Sequence, residues 1–319
     1  MRSLVTGARG FAGQHLVQHL LAMGDEVVAS DAAPVPEGEA STEGLKHAVL
    51  DVTDEQACWD VLDDCRPEAV YHLAGMAHVM HAEQNPTRCM EVNRDGCRNM
   101  LEACLNGFAN ARFLFVSTAE VYGRVAQEAM PVVETQPLNP STVYALSKSQ
   151  AEMQTHLAVA RGLHAVIARA FNHIGPGQSR DFVTAAFAHQ IASIEAGLQD
   201  PVMHVGNLQA VRDFSDVRDT VAAYRLCLMN GDAGEVLNVT SGLAVSIQEI
   251  LDVLISLARC ELSVEVDPAR MRPLEVPRFH GSAEHLRERC GHTPEHDLKE
   301  TLQGVLDYWR ASVERGAVR

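Results

Sequence analysis

Leu4-Val5-Thr6-Gly7-Ala8-Arg9-Gly10-Phe11-Ala12-Gly13 is the stretch whose reading decides the fold. Leu4-Val5 is a short apolar strand, the glycines that follow are spaced G-x-x-G-x-x-G, and an amphipathic helix is predicted from His15 to Met23. Gly7 permits a tight turn, Gly10 lets backbone approach a pyrophosphate, and Gly13 lets helix pack against strand. Such spacing alone is weak evidence. Strand, turn and helix in succession make it specific for a dinucleotide site.

Outward from that turn, the strand Glu26 to Ser30 ends at Asp31, 18 residues beyond Gly13. A carboxylate there is placed to accept hydrogen bonds from an adenosine ribose and to repel a 2′-phosphate, so Asp31 favours NAD over NADP. The plain alternative is a loop or cap aspartate, and Arg9 inside the turn could hold a 2′-phosphate. Residues 32–44 read as a loop, and His47 to Leu50 as a strand leading into Asp51-Val52, with Thr53-Asp54 as a helix cap. Ala69 to Leu73 is a buried strand followed by Ala74-Gly75, small residues that let a cofactor lie close. The pattern from Pro86 to Asn106 is helical, and Phe113 to Val116 is a strand again. This alternation predicts an α/β, Rossmann-like, doubly wound parallel sheet. Beyond about residue 170 the pattern becomes mixed, with helices over 182–197, 217–229 and 246–259 and short strands over 201–205 and 235–239. We read residues 1–169 as a dinucleotide-binding domain. Residues 170–319 are then mainly a smaller mixed α/β substrate-binding lobe, interleaved with the first, and the cleft between them would take the substrate.

The 319 residues carry 46% hydrophobic and 21% charged side chains, ordinary for a globular enzyme. The net charge of −16 argues against nucleic acid or an anionic membrane as partner, and an anionic substrate would need local arginines. Eight cysteines are scattered without a Cys-x-x-Cys pair, which points to reduced thiols and to no metal site. No apolar run reaches membrane-spanning length, and Ser3-Leu4-Val5 runs straight into the glycine turn where a secretory segment would need room. The expectation is a cytoplasmic protein.

Tyr144-Ala-Leu-Ser-Lys148 places a phenol and an ammonium four residues apart, on one face of a helix. A nearby ammonium favours the phenolate and so lowers the tyrosine pKa, making a proton donor and acceptor. Alone, the pair reads equally as two residues on a solvated face. Ser117-Thr118-Ala119-Glu120-Val121-Tyr122-Gly123 precedes it at the carboxyl end of a strand, where open α/β sheets place their ligands. If the extended geometry persists, Thr118 and Glu120 share a face. Asn139-Pro140 is the predicted entry to the tyrosine helix.

The Thr-Gly-x-x-Gly-Phe-x-Gly turn, the Ser-Thr-x-Glu-Val-Tyr-Gly segment and Tyr-x-x-x-Lys together resemble the extended short-chain dehydrogenase/reductase family of nucleotide-sugar enzymes. Residues 169–177, 205–214 and 271–276 continue the likeness toward its GDP-sugar branch. The resemblance implies Thr118, Tyr144 and Lys148 as the catalytic set, with Lys148 also holding the nicotinamide ribose. It implies Gly7, Gly10, Phe11, Gly13, Asp31, Asp51, Val52, Leu73, Ala74 and Gly75 as cofactor lining. Asn172 and Arg212 would meet the sugar-nucleotide pyrophosphate, and Arg272 and Glu275 the nucleoside ribose. The family also implies a homodimer through the helices at about 86–106 and 143–160, a pattern that intrachain burial explains as well.

Three activities follow. The first is reduction at C4 of a GDP-4-keto-6-deoxy-mannose-type sugar by NAD(P)H, giving a GDP-rhamnose-type product with Tyr144 as proton donor. Residues 169–177 and 267–272 look closer to that reductase branch. The second is 4,6-dehydration of GDP-mannose with Glu120 as base, or a related epimerisation. The third, a non-catalytic cofactor sensor, would have no need of a Thr118/Tyr144/Lys148 set. The reading adopted is the reductase.

Overall fold

The computed structural model describes residues 1–34, 42–271 and 276–316. Thirteen strands alternate with helices along these residues. The strands are β1 Arg2–Thr6, β2 Glu26–Asp31, β3 Leu45–Val49, β4 Ala69–His72, β5 Arg112–Thr118, β6 Ala165–Ala170 and β7 Asn172–Ile174, then β8 Val202–Val205, β9 Val211–Asp216, β10 Val236–Val239, β11 Ala244–Ser246, β12 Ser263–Val266 and β13 Arg278–Phe279. The helices are α1 Phe11–Ala22, α2 Glu55–Cys65, α3 Val79–Gln84, α4 Pro86–Met90, α5 Gly96–Gly107, α6 Val143–Ala160, α7 Val183–Glu195, α8 Val217–Asn230, α9 Ile247–Ser256, α10 Glu284–Cys290 and α11 Leu298–Glu314.

Seven strands form one sheet in the order β10-β6-β5-β4-β1-β2-β3, with every neighbouring pair parallel. Chain order reverses between β1 and β4, which opens a crevice at the carboxyl ends of those strands. The central strands are buried on both faces, as a parallel sheet requires, and so read as apolar runs rather than alternations. On one face Leu16 and Leu20 of α1 pack with Val221 and Tyr224 of α8. On the other, Leu62 of α2, Met100 and Cys104 of α5 and Ala151 of α6 close the second core. A third core lies outside the sheet, where Ile191 of α7, Leu254 of α9 and Trp309 of α11 meet.

Several elements depart from the sequence reading. α1 starts at Phe11 rather than His15, directly on the turn, because Gly10 supplies its extended N-cap residue. α6 starts at Val143, where the Thr142 hydroxyl accepts the Ala145 amide at 3.0 Å, and not at Asn139-Pro140. Asn139 is held instead by its own amide, which donates to the Val121 carbonyl. The long helix over 86–107 is interrupted by a π turn, Glu91–Asp95. These departures aside, β10 pairs with β6 in the large sheet and α8 covers that sheet's face. The eight cysteines are free thiols. Among the described residues no helix is long and apolar enough to cross a membrane.

Candidate active site

A cleft of about 810 Å³ lies along the crevice between β1 and β4. Its floor is the glycine turn. Gly7 has φ +66°, a left-handed conformation that favours glycine, and a Cβ there would stand 2.8 Å from backbone atoms of Ala74. A Cβ on Gly13 would stand 2.2 Å from the Gly7 carbonyl oxygen, so α1 can approach β1 this closely only with hydrogen at that position. Gly10 brings no capping side chain, which leaves the first amides of α1 open to the cleft. Open amides and the helix dipole favour an anion there. These are the features a dinucleotide pyrophosphate needs.

Asp31 closes the far end, its carboxylate accepting the amides of Arg9 at 3.2 Å and Ala33 at 3.3 Å. The Arg9 guanidinium donates to the Pro34 carbonyl. Asp51 accepts the amide and hydroxyl of Thr53, which hold its pKa down, and it meets Arg88 at 3.3 Å. Val52, Leu73, Ala74 and Gly75 supply the apolar wall between these two carboxylates and the sheet. Phe11 lies flat against His173 at 5.8 Å, and His15 bonds the Pro176 carbonyl, so the glycine turn is braced against the segment after β7.

Thr118 ends β5, and α6 carries Tyr144 and Lys148 across the same crevice. The Thr118 hydroxyl lies beside the Tyr144 phenol and favours its ionised form. The Lys148 ammonium donates to the Val116 carbonyl at 2.8 Å and sits over the Phe115 ring. The expected lowering of the tyrosine pKa is not what the site does. Burial dominates and pushes Tyr144 up to about 12, and burial pulls Lys148 down to about 8. With its ammonium bound to Val116, Lys148 is not the group that tunes the phenol. Thr118 opposes the upward shift instead.

Glu120 does not continue the strand. Ala119–Tyr122 is a 3-10 turn, and the Thr118 side chain accepts the Glu120 amide at 3.2 Å. Its carboxyl still faces the cleft, raised by burial among cleft walls and lowered by Arg212. Arg212 and Asn172 line the cleft from β9 and β7. The Asn172 amide donates to the Asp213 carbonyl at 3.1 Å, and Arg212 donates to the Val211 carbonyl. The lining holds Arg88, Lys148 and Arg212 against Asp31, Asp51 and Glu120, three charges of each sign in a chain of net charge −16. Arg272 and Glu275 lie outside the described residues. Gln190 on α7 is a structural clamp that bonds both backbone groups of His204.

One residue beneath the site escaped the sequence reading. Asn93, buried in the π turn, accepts the Met76 amide at 2.7 Å and donates to the Met76 carbonyl and to Ser147 on α6. It thereby sets the Gly75-Met76 floor relative to the turn of α6 that holds Lys148. A Cβ on Gly75 would stand 2.9 Å from Asn93 Oδ1. The signal available was an asparagine in the middle of an otherwise apolar helix face.

A parallel sheet with a glycine turn at its switch point, and a Tyr/Lys helix across the same crevice, defines a short-chain dehydrogenase/reductase. The family model described as GDP-mannose 4,6 dehydratase matches residues 4–305, and the chain belongs to that family. It is 37% identical over 313 residues to GDP-6-deoxy-D-mannose reductase of Pseudomonas aeruginosa, covering 98% of each chain. It is 28% identical to GDP-mannose 4,6 dehydratase 1 of Arabidopsis thaliana, over 96% of this chain and 88% of that one. Among solved structures, RMD from Pseudomonas aeruginosa complexed with NADPH superposes with TM-score 0.86 at 36% identity, over 97% and 99% of the two chains. UDP-glucose 4-epimerase of Thermus thermophilus complexed with NAD superposes with TM-score 0.84 at 30% identity, over 98% and 100%.

Proposed function

We propose that this chain is a nicotinamide-dependent nucleotide-sugar reductase that acts on C4 of a GDP-4-keto-6-deoxy-mannose-type sugar. The observation that carries the reading is the gathering of Thr118, Tyr144 and Lys148 in one cleft floored by the glycine turn. The likeness to the Pseudomonas reductase over nearly the whole chain supports the same reading.

The residues present fit a dinucleotide. Gly7, Gly10 and the first amides of α1 would hold the pyrophosphate, Asp31 the adenosine ribose, and Lys148 the nicotinamide ribose. Asp51, Val52, Leu73, Ala74 and Gly75 would flank the bases. When bound, the nicotinamide supplies the hydride that reduces the C4 carbonyl. Tyr144, kept protonated by burial, gives its proton to the C4 oxygen, and the Thr118 hydroxyl orients that oxygen. Asn172 and Arg212 would meet the sugar-nucleotide diphosphate, Arg212 supplying the local positive charge. Asp31 supports NADH over NADPH, since a 2′-phosphate would be set against its carboxylate; Arg9, whose amide meets that carboxylate, is a cation that could offset it.

One observation favours a second reading. The Glu120 carboxyl faces the cleft with its pKa raised, a state suited to taking a proton, as 4,6-dehydration requires. The two reactions are told apart by cofactor balance. Incubated with GDP-4-keto-6-deoxy-mannose and reduced cofactor, the purified protein should oxidise one cofactor per sugar. Turnover of GDP-mannose with no net change in cofactor would replace the reductase by the dehydratase, and cofactor binding with neither turnover would leave a sensor.

A homodimer through α6 is part of the proposal. Leu146, Met153 and Leu157 lie on one side of α6 and are 39%, 62% and 60% exposed. Beside them, the side-chain oxygens of Gln150 and Gln154 are buried without a hydrogen-bond partner. An exposed apolar stripe flanked by unpaired amides is the surface a second copy would cover.

A further inference from the structure

Gly75-Met76-Ala77-His78-Val79 leads from β4 into α3, and four of these five residues line the cleft. Those four, Gly75, Met76, Ala77 and Val79, carry no side-chain nitrogen or oxygen. The main chain at Met76 is closed as well, because Asn93 accepts its amide at 2.7 Å and donates to its carbonyl at 3.1 Å. His78 is the polar exception and does not line the cleft; its ring stands 4.4 Å from that of His81 and 6.0 Å from that of Phe182. What this wall offers a ligand at Met76 and Val79 is side-chain contact without a side-chain hydrogen bond.

The wall stands beside the reacting tyrosine. Met76 and Val79 pack against the small cluster of Ala82, Cys89 and Tyr144. The end of the neighbouring strand, β5, brings the polar side chains of Thr118 and Glu120 to the same cleft. Tyr144 therefore lies where an apolar wall from the end of β4 meets a polar one from the end of β5. A 4-keto-6-deoxy hexose is divided in the same way. Its C4, whose oxygen must reach Tyr144, lies between C3, which carries a hydroxyl, and C5, which carries the C6 methyl group.

We propose that Met76 and Val79 form the subsite for the C6 methyl group and select a 6-deoxy sugar over one with a hydroxyl on C6. The inference rests on the nucleotide-sugar reading above and adds to it the residues that choose the sugar. A C6 hydroxyl placed against this wall gives up its water and gains no side-chain partner, which costs binding. The C3 hydroxyl falls toward Thr118 and Glu120. Met76 and Val79 take no part in proton or hydride transfer.

The test uses GDP-6-deoxy-mannose and GDP-mannose, which differ only by the C6 hydroxyl, with reduced cofactor bound. Neither sugar has a carbonyl to reduce, so calorimetry reads dissociation constants without turnover. Wild type should bind the 6-deoxy compound about tenfold to a hundredfold more tightly, the discrimination an apolar pocket makes against an added hydroxyl. Met76→Gln and Val79→Thr keep the side chains close to their size and add hydrogen-bonding groups. Each should narrow that ratio about threefold or more, the range of one hydrogen bond. GDP, which has no sugar, should bind all three proteins equally and so reports that they are folded; with two separate variants, misfolding of one leaves the other to be read. If wild type binds neither sugar nucleotide, the nucleotide-sugar reading itself fails. If wild type reduces the 4-keto sugar yet binds the two compounds equally, only the present inference fails. An unchanged ratio in the folded variants would set the methyl group against another wall and would also overturn it.

Discussion

The Ser117 hydroxyl donates to Glu152 Oε1 at 2.5 Å, tying β5 to α6 one residue before Thr118 and four residues past Lys148. Arg169 on β6 completes the tie with three contacts to the same carboxylate, the shortest 2.7 Å. It also donates to the Tyr122 hydroxyl and stacks on that ring at 4.8 Å. All four side chains are buried. Removing one partner strands the other charge, so Arg169→Met should cost about 3–5 kcal/mol of stability. The Glu152→Leu/Arg169→Met double variant should lose less than the sum of the two single variants, because neither charge is then left alone. Urea denaturation of the four proteins reads this directly, and additive losses would show that the two side chains act independently.

Tyr144→Phe removes only the phenol oxygen, and the ring still fills its site among Ala82 and Cys89. Turnover of the 4-keto sugar should fall by about 10²–10⁴-fold, the usual contribution of a positioned proton donor. Dissociation constants for the cofactor and for GDP-mannose should stay close to wild type, since the loss falls on the transition state. Near-normal turnover would move the proton donor elsewhere, with Glu120 as the first place to look.

The glycine turn, Asp31, Thr118, Tyr144 and Lys148 were legible because each sits at a strand end or on a helix face whose position follows from local pattern. β1 through β5 were legible for the same reason, as apolar runs separated by turn signals. The partner of β10 was not, because pairing with β6 is a contact about seventy residues away in sequence. The pKa directions of Tyr144 and Lys148 were also out of reach. The four-residue spacing implies a Coulomb attraction, but burial of both groups outweighs it, and burial is a property of the packed site. Asn93 was not legible either, because its partners Met76 and Ser147 are brought to it only by the packed fold.

The buried ammonium of Lys148 has a measurable consequence for stability. Folding lowers its pKa from 10.5 to about 8. Between those two values the unfolded chain holds a proton that the folded chain has released, so this group makes stability rise with pH across that window. Below about pH 8 the charged, buried ammonium is a standing cost of roughly 3 kcal/mol. Tyr144 and Cys97 are raised to about 12 and titrate in the opposite sense at alkaline pH, so a single curve will not isolate the effect. The difference between wild type and Lys148→Met does. Wild type should gain on the variant from about pH 8 to 10.5, and the two should run parallel below pH 7. Parallel curves throughout would mean that Lys148 is better solvated than its 5% exposure implies.

The exposed stripe on α6 can be tested apart from catalysis. Met153 and Leu157 are more than half exposed and belong neither to the cleft lining nor to the core beneath the sheet. A carboxylate at either position would be solvated in a monomer and desolvated against its own copy across a two-fold contact. Met153→Glu/Leu157→Glu should therefore behave as a monomer of 34.7 kDa by light scattering at concentrations where wild type has twice that mass. Surface changes of this kind cost a monomer little, within about 0.5 kcal/mol, so the thermal midpoint would separate a broken dimer from a protein indifferent to the change. A dimeric wild type should lose thermal stability on substitution, and the loss should shrink as the protein is diluted. Wild-type protein that runs as a monomer at every concentration would remove α6 as an interface and leave its apolar stripe as plain surface.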